Sequence, residues 1–238
     1  MRILGLIPAR GGSKSVPGKN IKKLNGKPLL QYTVEAAKNS KKLDHLILSS
    51  DDSNIINIAK ELKVDVPFVR PRHLAEDTSP TLGVIQHALK FYKGIGNNFD
   101  AVCLLQVTSP FKTGKFIDDA IDKFENSGCD ALVSVQNVPA EYNPHWVFKE
   151  NQRGQLELVT GEKTIISRRQ DLPNMYHRDG LIYITKAEVL LEKNSLYGNN
   201  LAYVKSPYNS TINIDTIEDW KKAEAFLSSE EYNNLLNL

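Results

Sequence analysis

Residues 3–20, ILGLIPARGGSKSVPGKN, decide how this chain is read. Ile3 to Ile7 is a short apolar run of the kind that forms a strand buried on both faces. Behind it, Gly11, Gly12 and Gly18 alternate with the cations Arg10, Lys14 and Lys19. Glycine lets backbone N–H groups approach an anion closely and the cations neutralise it, so such a loop at a strand end suits a polyphosphate. The segment is neither a Walker loop, which needs Gly-Lys-Ser/Thr opening a helix, nor a dinucleotide fingerprint. A solvated turn is the plain alternative, and the preceding strand and the three cations weigh against it.

Working outward, further short runs rich in β-branched residues fall at 46–49, 66–69, 101–106 and 131–135. Helical spacing lies between them. One helix opens at Pro28 and carries Leu29, Thr33, Val34 and Ala37. Another follows Asp52 with Ile55, Ile58, Ala59 and Leu62 on one face. A third has Ser79 as N-cap and Pro80 at its first position, and a fourth carries Phe116, Ile117, Ala120, Ile121 and Phe124. This alternation predicts an α/β fold with a doubly wound, mostly parallel sheet, which binds ligands at the C-terminal ends of its strands.

The rhythm breaks after Val138. Residues 139–179 are polar and rich in Pro, Asn, Gln and Arg, and so long a stretch suits a lid or an arm that pairs with another subunit. It resumes with the strand LIYIT after Gly180, then INI at 212–214, a helix over 217–227 and a short one after Ser229. The whole, 1–238, reads as one domain with 137–180 as an inserted arm.

Lys+Arg of 30 against Asp+Glu of 28 leaves no concentrated basic charge, which argues against nucleic-acid binding. Cys103 and Cys129 sit in separate apolar runs and read as buried thiols. The apolar stretch before Pro8 is too short for a signal peptide, and no later stretch could span a bilayer, so a soluble cytoplasmic protein without membrane contact is expected.

Residues 7–20 match throughout the opening motif of the acylneuraminate cytidylyltransferases, I-P-A-R-G-G-S-K-x-x-P-x-K-N, and the chain resembles that family. The resemblance implies a Rossmann-like nucleotidyltransferase that uses CTP and Mg²⁺, with Mn²⁺ as an alternative, to activate an acidic nine-carbon sugar. By resemblance, Arg10, Ser13 and Lys14 hold the triphosphate within the loop Ala9-Arg10-Gly11-Gly12. Lys19 and Asn20 then contact the α-phosphate or base end.

Four more segments carry the likeness. Arg70-Pro71-Arg72-His73-Leu74-Ala75-Glu76-Asp77 resembles R-P-x-x-L-A-x-D, whose first arginine lies by the cytosine; a surface ion pair is the alternative for Arg70. Thr81 matches a hydroxyl residue near the nucleotide. Gln106-Val107-Thr108-Ser109-Pro110 resembles L-Q-P-T-S-P with Val107 replacing a proline. Gln106 falls on the sugar side together with Ser109, although Thr108 and Ser109 also suit a helix cap. Arg168-Arg169-Gln170-Asp171-Leu172-Pro173 with Tyr176 and Gly180 resembles R-x-Q-x-x-P-x-x-Y-x-x-x-G, so Arg169, Gln170 and Tyr176 would meet the acidic sugar. The family's arm crosses to a partner subunit, which implies a homodimer.

Ile212-Asn213-Ile214-Asp215-Thr216 resembles D-I-D-T imperfectly. Carboxylates at alternate strand positions point the same way and can share a hard cation, but Asn213 stands where the first would be. Asp215 is the best metal ligand; Asn213 offers only an amide oxygen, and Asp219 could equally cap the last helix. On this reading Arg10, Lys14, Lys19 and Asp215 carry catalysis. The competing readings are a transferase for the eight-carbon Kdo or for another nucleotide, and a sugar-nucleotide-binding protein without turnover. Kdo enzymes lack the R-x-Q-x-x-P segment in this form.

Overall fold

The computed structural model describes residues 1–207 and 212–236. Its sheet grows from β1 (Ile3–Pro8), which is buried as far as Ile7. A ribbon of β2 (Lys23–Leu24) and β3 (Lys27–Pro28) follows the loop. Then come α1 (Leu29–Asn39), β4 (His45–Ser49), α2 (Ser53–Glu61), α3 (Thr81–Gly94), β5 (Ala101–Leu104), α4 (Gly114–Ser127) and β6 (Ala131–Asn137). A hairpin of β7 (Phe148–Glu150) and β8 (Leu156–Leu158) leads to β9 (Tyr176–Lys186), α5 (Ala187–Leu191), β10 (Leu201–Lys205), α6 (Ile217–Leu227) and α7 (Glu230–Leu236).

The six strands of the main sheet run in the order β10-β6-β9-β5-β1-β4. All neighbouring pairs are parallel except those of β9, which runs against both β5 and β6. Alternate side chains of each strand feed opposite layers. Ile3, Ile7, Leu48 and Cys103 pack with α1, α2, α4 and α6 on one side, while Leu4, Leu6, Ile47 and Leu104 pack with α3 and Leu190 of α5 on the other. Each fully buried Leu or Ile contributes roughly 1.5–3 kcal/mol, so this double layer fixes the strand ends on which the site is built.

Several local expectations give way. Residues 66–69 form no strand: one parallel bridge, Ile47 to Asp65, lies just before them, and Pro67 has no N–H for a ladder. Residues 212–214 also lie outside any strand, although the alternation survives: Ile214 is buried between exposed Asn213 and Asp215. Helix α3 begins at Thr81 with Pro80 as its N-cap, and the Ser79 hydroxyl donates instead to the His73 carbonyl at 2.6 Å. Thr113, not Thr108 or Ser109, caps α4 by accepting from Phe116 N–H.

Between β6 and β9 the chain makes only short 3₁₀ turns and the β7–β8 hairpin. It is tied back by Val138 N–H to the Met175 carbonyl at 2.8 Å and by the Asn143 amide to the Pro173 carbonyl at 3.0 Å.

Candidate active site

A cleft of about 440 Å³ opens at the C-terminal ends of β1 and β5, where a sheet of this type leaves a crevice. Of the residues singled out in the sequence it brings together Arg10, Ser13, Lys19, Asn20, Arg70, Thr81, Gln106, Asn213 and Asp215. The loop after β1 is anchored at both ends. Ala9 N–H donates to the Ser49 carbonyl at 3.0 Å, Gly11 N–H to Asp51 Oδ1 at 3.2 Å, and the buried Asn20 amide to the Arg10 carbonyl at 2.9 Å. A side chain at Gly11 would set Cβ 2.6 Å from Asp52 Oδ2, the carboxylate that caps α2, so the loop can pass there only as glycine. Gly12 lies in open space beside it.

Asp77 lies on the loop before α3 and lines the cleft. Its carboxylate bridges Arg10 Nη2, at 2.8 Å, and Lys14 Nζ. The Lys14 ammonium and then Arg10 hold its carboxyl below the usual carboxylate range. Asp77 therefore occupies the two cations that a triphosphate would need, and an incoming anion must exchange with it. Exposed ion pairs are weak, so Asp77→Asn should tighten CTP binding at low salt by about two- to fivefold in calorimetry. Weaker binding would mean that Asp77 serves the nucleotide directly.

Arg70 is 4% exposed. Its Nε donates to Ser49 Oγ at 3.1 Å and its Nη2 to the Ser49 carbonyl. Burial pulls the guanidinium down to about 10, with Asp51 opposing and Arg10 adding to the shift. It is a fixed cation on the cleft wall, not a surface ion pair.

Past β5 the chain turns sharply. Gln106 and Thr108 line the cleft, whereas Ser109 is buried beneath it. Gly180 of β9 presses against this turn: with φ +83° and a built Cβ only 2.8 Å from Ser109 Oγ and 3.3 Å from Gln106 Oε1, no other residue fits. The Ser109 hydroxyl donates to Asn213 Oδ1 at 3.3 Å, and Ile214 N–H to the Thr108 carbonyl at 2.7 Å.

Those bonds aim Asn213 and Asp215. A carboxylate only accepts, so the Asn213 amide nitrogen must face Asp215, and it donates to Oδ2 at 2.5 Å. The other oxygen, Oδ1, accepts from Lys19 Nζ at 3.0 Å, and the buried Lys19 also donates to the Ile214 carbonyl at 2.6 Å. Asp219 does not line the cleft. Its carboxylate accepts from the N–H groups of Asp215 and Thr216 in a capping box with Thr216. Partial burial opposes its ionisation, and the Thr216 hydroxyl and these N–H groups outweigh that.

Arg169, Gln170 and Tyr176 do not line the cleft. The first two sit on an exposed 3₁₀ turn, Arg169–Asp171, while Tyr176 stacks on Tyr203 with Lys205 over its ring.

The cleft gathers cations and hydrogen-bond donors suited to a phosphorylated ligand. The family model described as "Cytidylyltransferase" matches residues 4–235. The chain belongs to the cytidylyltransferase family. Pseudaminic acid cytidylyltransferase of Campylobacter jejuni is 34% identical over 94% of this chain and 95% of its own length. CMP-N,N'-diacetyllegionaminic acid synthase of Legionella pneumophila is 33% identical over 95% of this chain and 97% of its own. N-acylneuraminate cytidylyltransferase of Escherichia coli is 30% identical over 93% of this chain but only 51% of its own length. Among solved structures, CMP:2-keto-3-deoxy-manno-octonic acid synthetase complexed with CTP superposes with a TM-score of 0.71 at 16% identity, over 96% of this chain and 99% of that one. That last likeness concerns the fold alone.

No helix among the described residues of this cytidylyltransferase is long and apolar enough to cross a membrane. Nor, among those residues, do three or more His, Cys, Asp or Glu side chains gather as a metal site. A hard cation would fit the cleft in the manner of Mg²⁺, which takes one or two carboxylates and draws its remaining oxygens from phosphate and water. Asp215, 61% exposed beside Lys19, is one carboxylate of the cleft that could offer an oxygen, and Glu76 and Asp77 also line it.

Proposed function

We propose that this cytidylyltransferase transfers CMP from CTP to the anomeric hydroxyl of a nonulosonic acid, such as pseudaminic, legionaminic or sialic acid. The hydroxyl oxygen forms a bond to the α-phosphorus, the bond from that phosphorus to the bridging oxygen breaks, pyrophosphate leaves and the hydroxyl proton passes to solvent. What carries the reading is one juxtaposition: Arg10, Lys19 and Asp215 share a cleft with the buried cation Arg70 and with Gln106. The relatives named for nine-carbon acids support it against a Kdo enzyme.

Phosphoryl transfer asks a protein for alignment and charge neutralisation. Arg10 and Lys14, released from Asp77, neutralise the β- and γ-phosphates and then the leaving pyrophosphate. Lys19 is held nearer the reacting phosphorus by the Ile214 carbonyl, and Arg70 binds the cytosine end. Mg²⁺ or Mn²⁺, when bound at Asp215, would screen phosphate charge and lower the pKa of the attacking hydroxyl. Asn213 keeps the Asp215 carboxylate turned toward the cleft. Release of pyrophosphate, assayed across nucleotides and sugar acids, tests the whole reading.

The same proposal includes a homodimer built through the arm. A lone two-stranded hairpin is marginally stable in water. This one exposes Phe148 and Leu156, with Ile165 beside them, a patch that calls for a partner. Seating the arm on a second copy would also give Arg169 and Gln170 a sugar to meet. In light scattering the enzyme should run as a dimer and the variant Phe148→Glu/Leu156→Glu as a monomer; a dimeric double variant would put the interface elsewhere. A cytoplasmic location belongs to this proposal, supported by the two buried free thiols, Cys103 and Cys129.

A further inference from the structure

Lys112 belongs to no motif of the cleft and does not line it. It lies on the far side of the turn after β5, next to Phe111 and Tyr32. The side chain is buried, and its ammonium donates to the Gln106 carbonyl at 3.1 Å, to the Ser109 carbonyl, and to Thr33 Oγ1 of α1 at 3.5 Å. Three acceptors answer its three hydrogens. We propose that Lys112 is a positioning residue for the sugar end of the site, clamping the turn that presents Gln106.

A buried ammonium is costly unless its hydrogens are satisfied, and a methionine would fill the same space without that cost. Burial draws Lys112 down to about 7, with Cys103 and Asp179 acting the other way. What the cation supplies is a donor to two carbonyls at opposite ends of one turn, from a position outside the cleft. Within the turn the Thr108 carbonyl is already taken by Ile214 N–H, and the Ser109 hydroxyl by Asn213. The Asn213–Asp215 segment is thus tied to the turn by bonds of its own, and the clamp bears on the Gln106 end. Arg10 and Arg70 hang from the ends of β1 and β4 through Asn20, Asp77 and Ser49, not through this turn. Loss of the clamp should be felt by the acid and not by the nucleotide.

This inference rests on the proposed reaction, and its test separates the two. The wild-type enzyme, Lys112→Met, Gln106→Ala and the double variant are assayed for pyrophosphate release with CTP and the acid that the wild type uses best. Calorimetry gives CTP affinity and Tm. Lys112→Met should keep its Tm and bind CTP within about twofold of wild type, while KM for the acid rises about tenfold or more. Since Lys112 acts through Gln106, the double variant should be no worse than Gln106→Ala by more than about twofold. An unchanged KM, additive losses in the double variant, or a joint fall of Tm, CTP affinity and turnover would each overturn the positioning role. If the wild type released no pyrophosphate with any acid, the proposed reaction would fail and this inference with it.

Discussion

Asp215→Asn should lower kcat for pyrophosphate release by about 100- to 1000-fold at saturating CTP, while Tm stays within about 2 °C of wild type. The side chain is 61% exposed, so the fold does not depend on it. Its chemistry is concentrated, however: one oxygen accepts from Lys19 and the other from Asn213. Asparagine keeps one acceptor oxygen but brings no charge, and its new N–H₂ would face either the Lys19 ammonium or the Asn213 amide, both donors. Asn213, at the alternate position, brings no charge that could compensate. Raising Mg²⁺ should recover part of the lost rate, and a variant with wild-type kcat and wild-type Mg²⁺ dependence would remove Asp215 from the reaction.

Arg70→Met should cost roughly 30- to 100-fold in kcat/KM for CTP, mainly through KM for the nucleotide. Methionine replaces the apolar stem of the arginine, so packing is largely kept. The loss is that of a buried cation fixed by two bonds to Ser49, a charge-assisted donor that already has its desolvation behind it. Tm should hold or rise, because a buried guanidinium pulled down to about 10 is itself a strain on the fold. KM for the sugar acid should move little. If CTP kinetics are unchanged, Arg70 is a strut between β4 and the loop that follows it, and the base is read elsewhere.

How much of this was legible beforehand depended on whether the signal was local. The loop from Ala9 to Asn20 follows a strand because an apolar run and a Gly/cation segment are both short-range patterns, and the cleft indeed opens there. Arg70 is legible only through its motif, and its near-complete burial is not legible at all, since arginine is mostly an exposed residue. Lys112 escaped for the same reason: in the sequence it is one lysine in a polar turn, and only the tertiary fold places it under two carbonyls. The strand expected over 66–69 failed on Pro67, whose lack of an N–H should have counted for more. β10 was missed because LAYVK is short and half-exposed, and its pairing with β6 is a long-range fact. The antiparallel course of β9 follows from the arm, which returns the chain to the same end of the sheet it left. Arg169 and Gln170 come from a motif alone, and the fold of the single chain leaves them in solvent, away from the cleft.

Pyrophosphate release should be measured with the full chain, Mg²⁺, each of CTP, UTP, ATP and GTP, and a panel of pseudaminate, legionaminate, N-acetylneuraminate and Kdo. Release is expected with CTP alone among the nucleotides and with at least one nine-carbon acid in clear preference to Kdo. CTP that binds yet yields no pyrophosphate with any of the acids, or release that prefers Kdo, would contradict the proposed reaction.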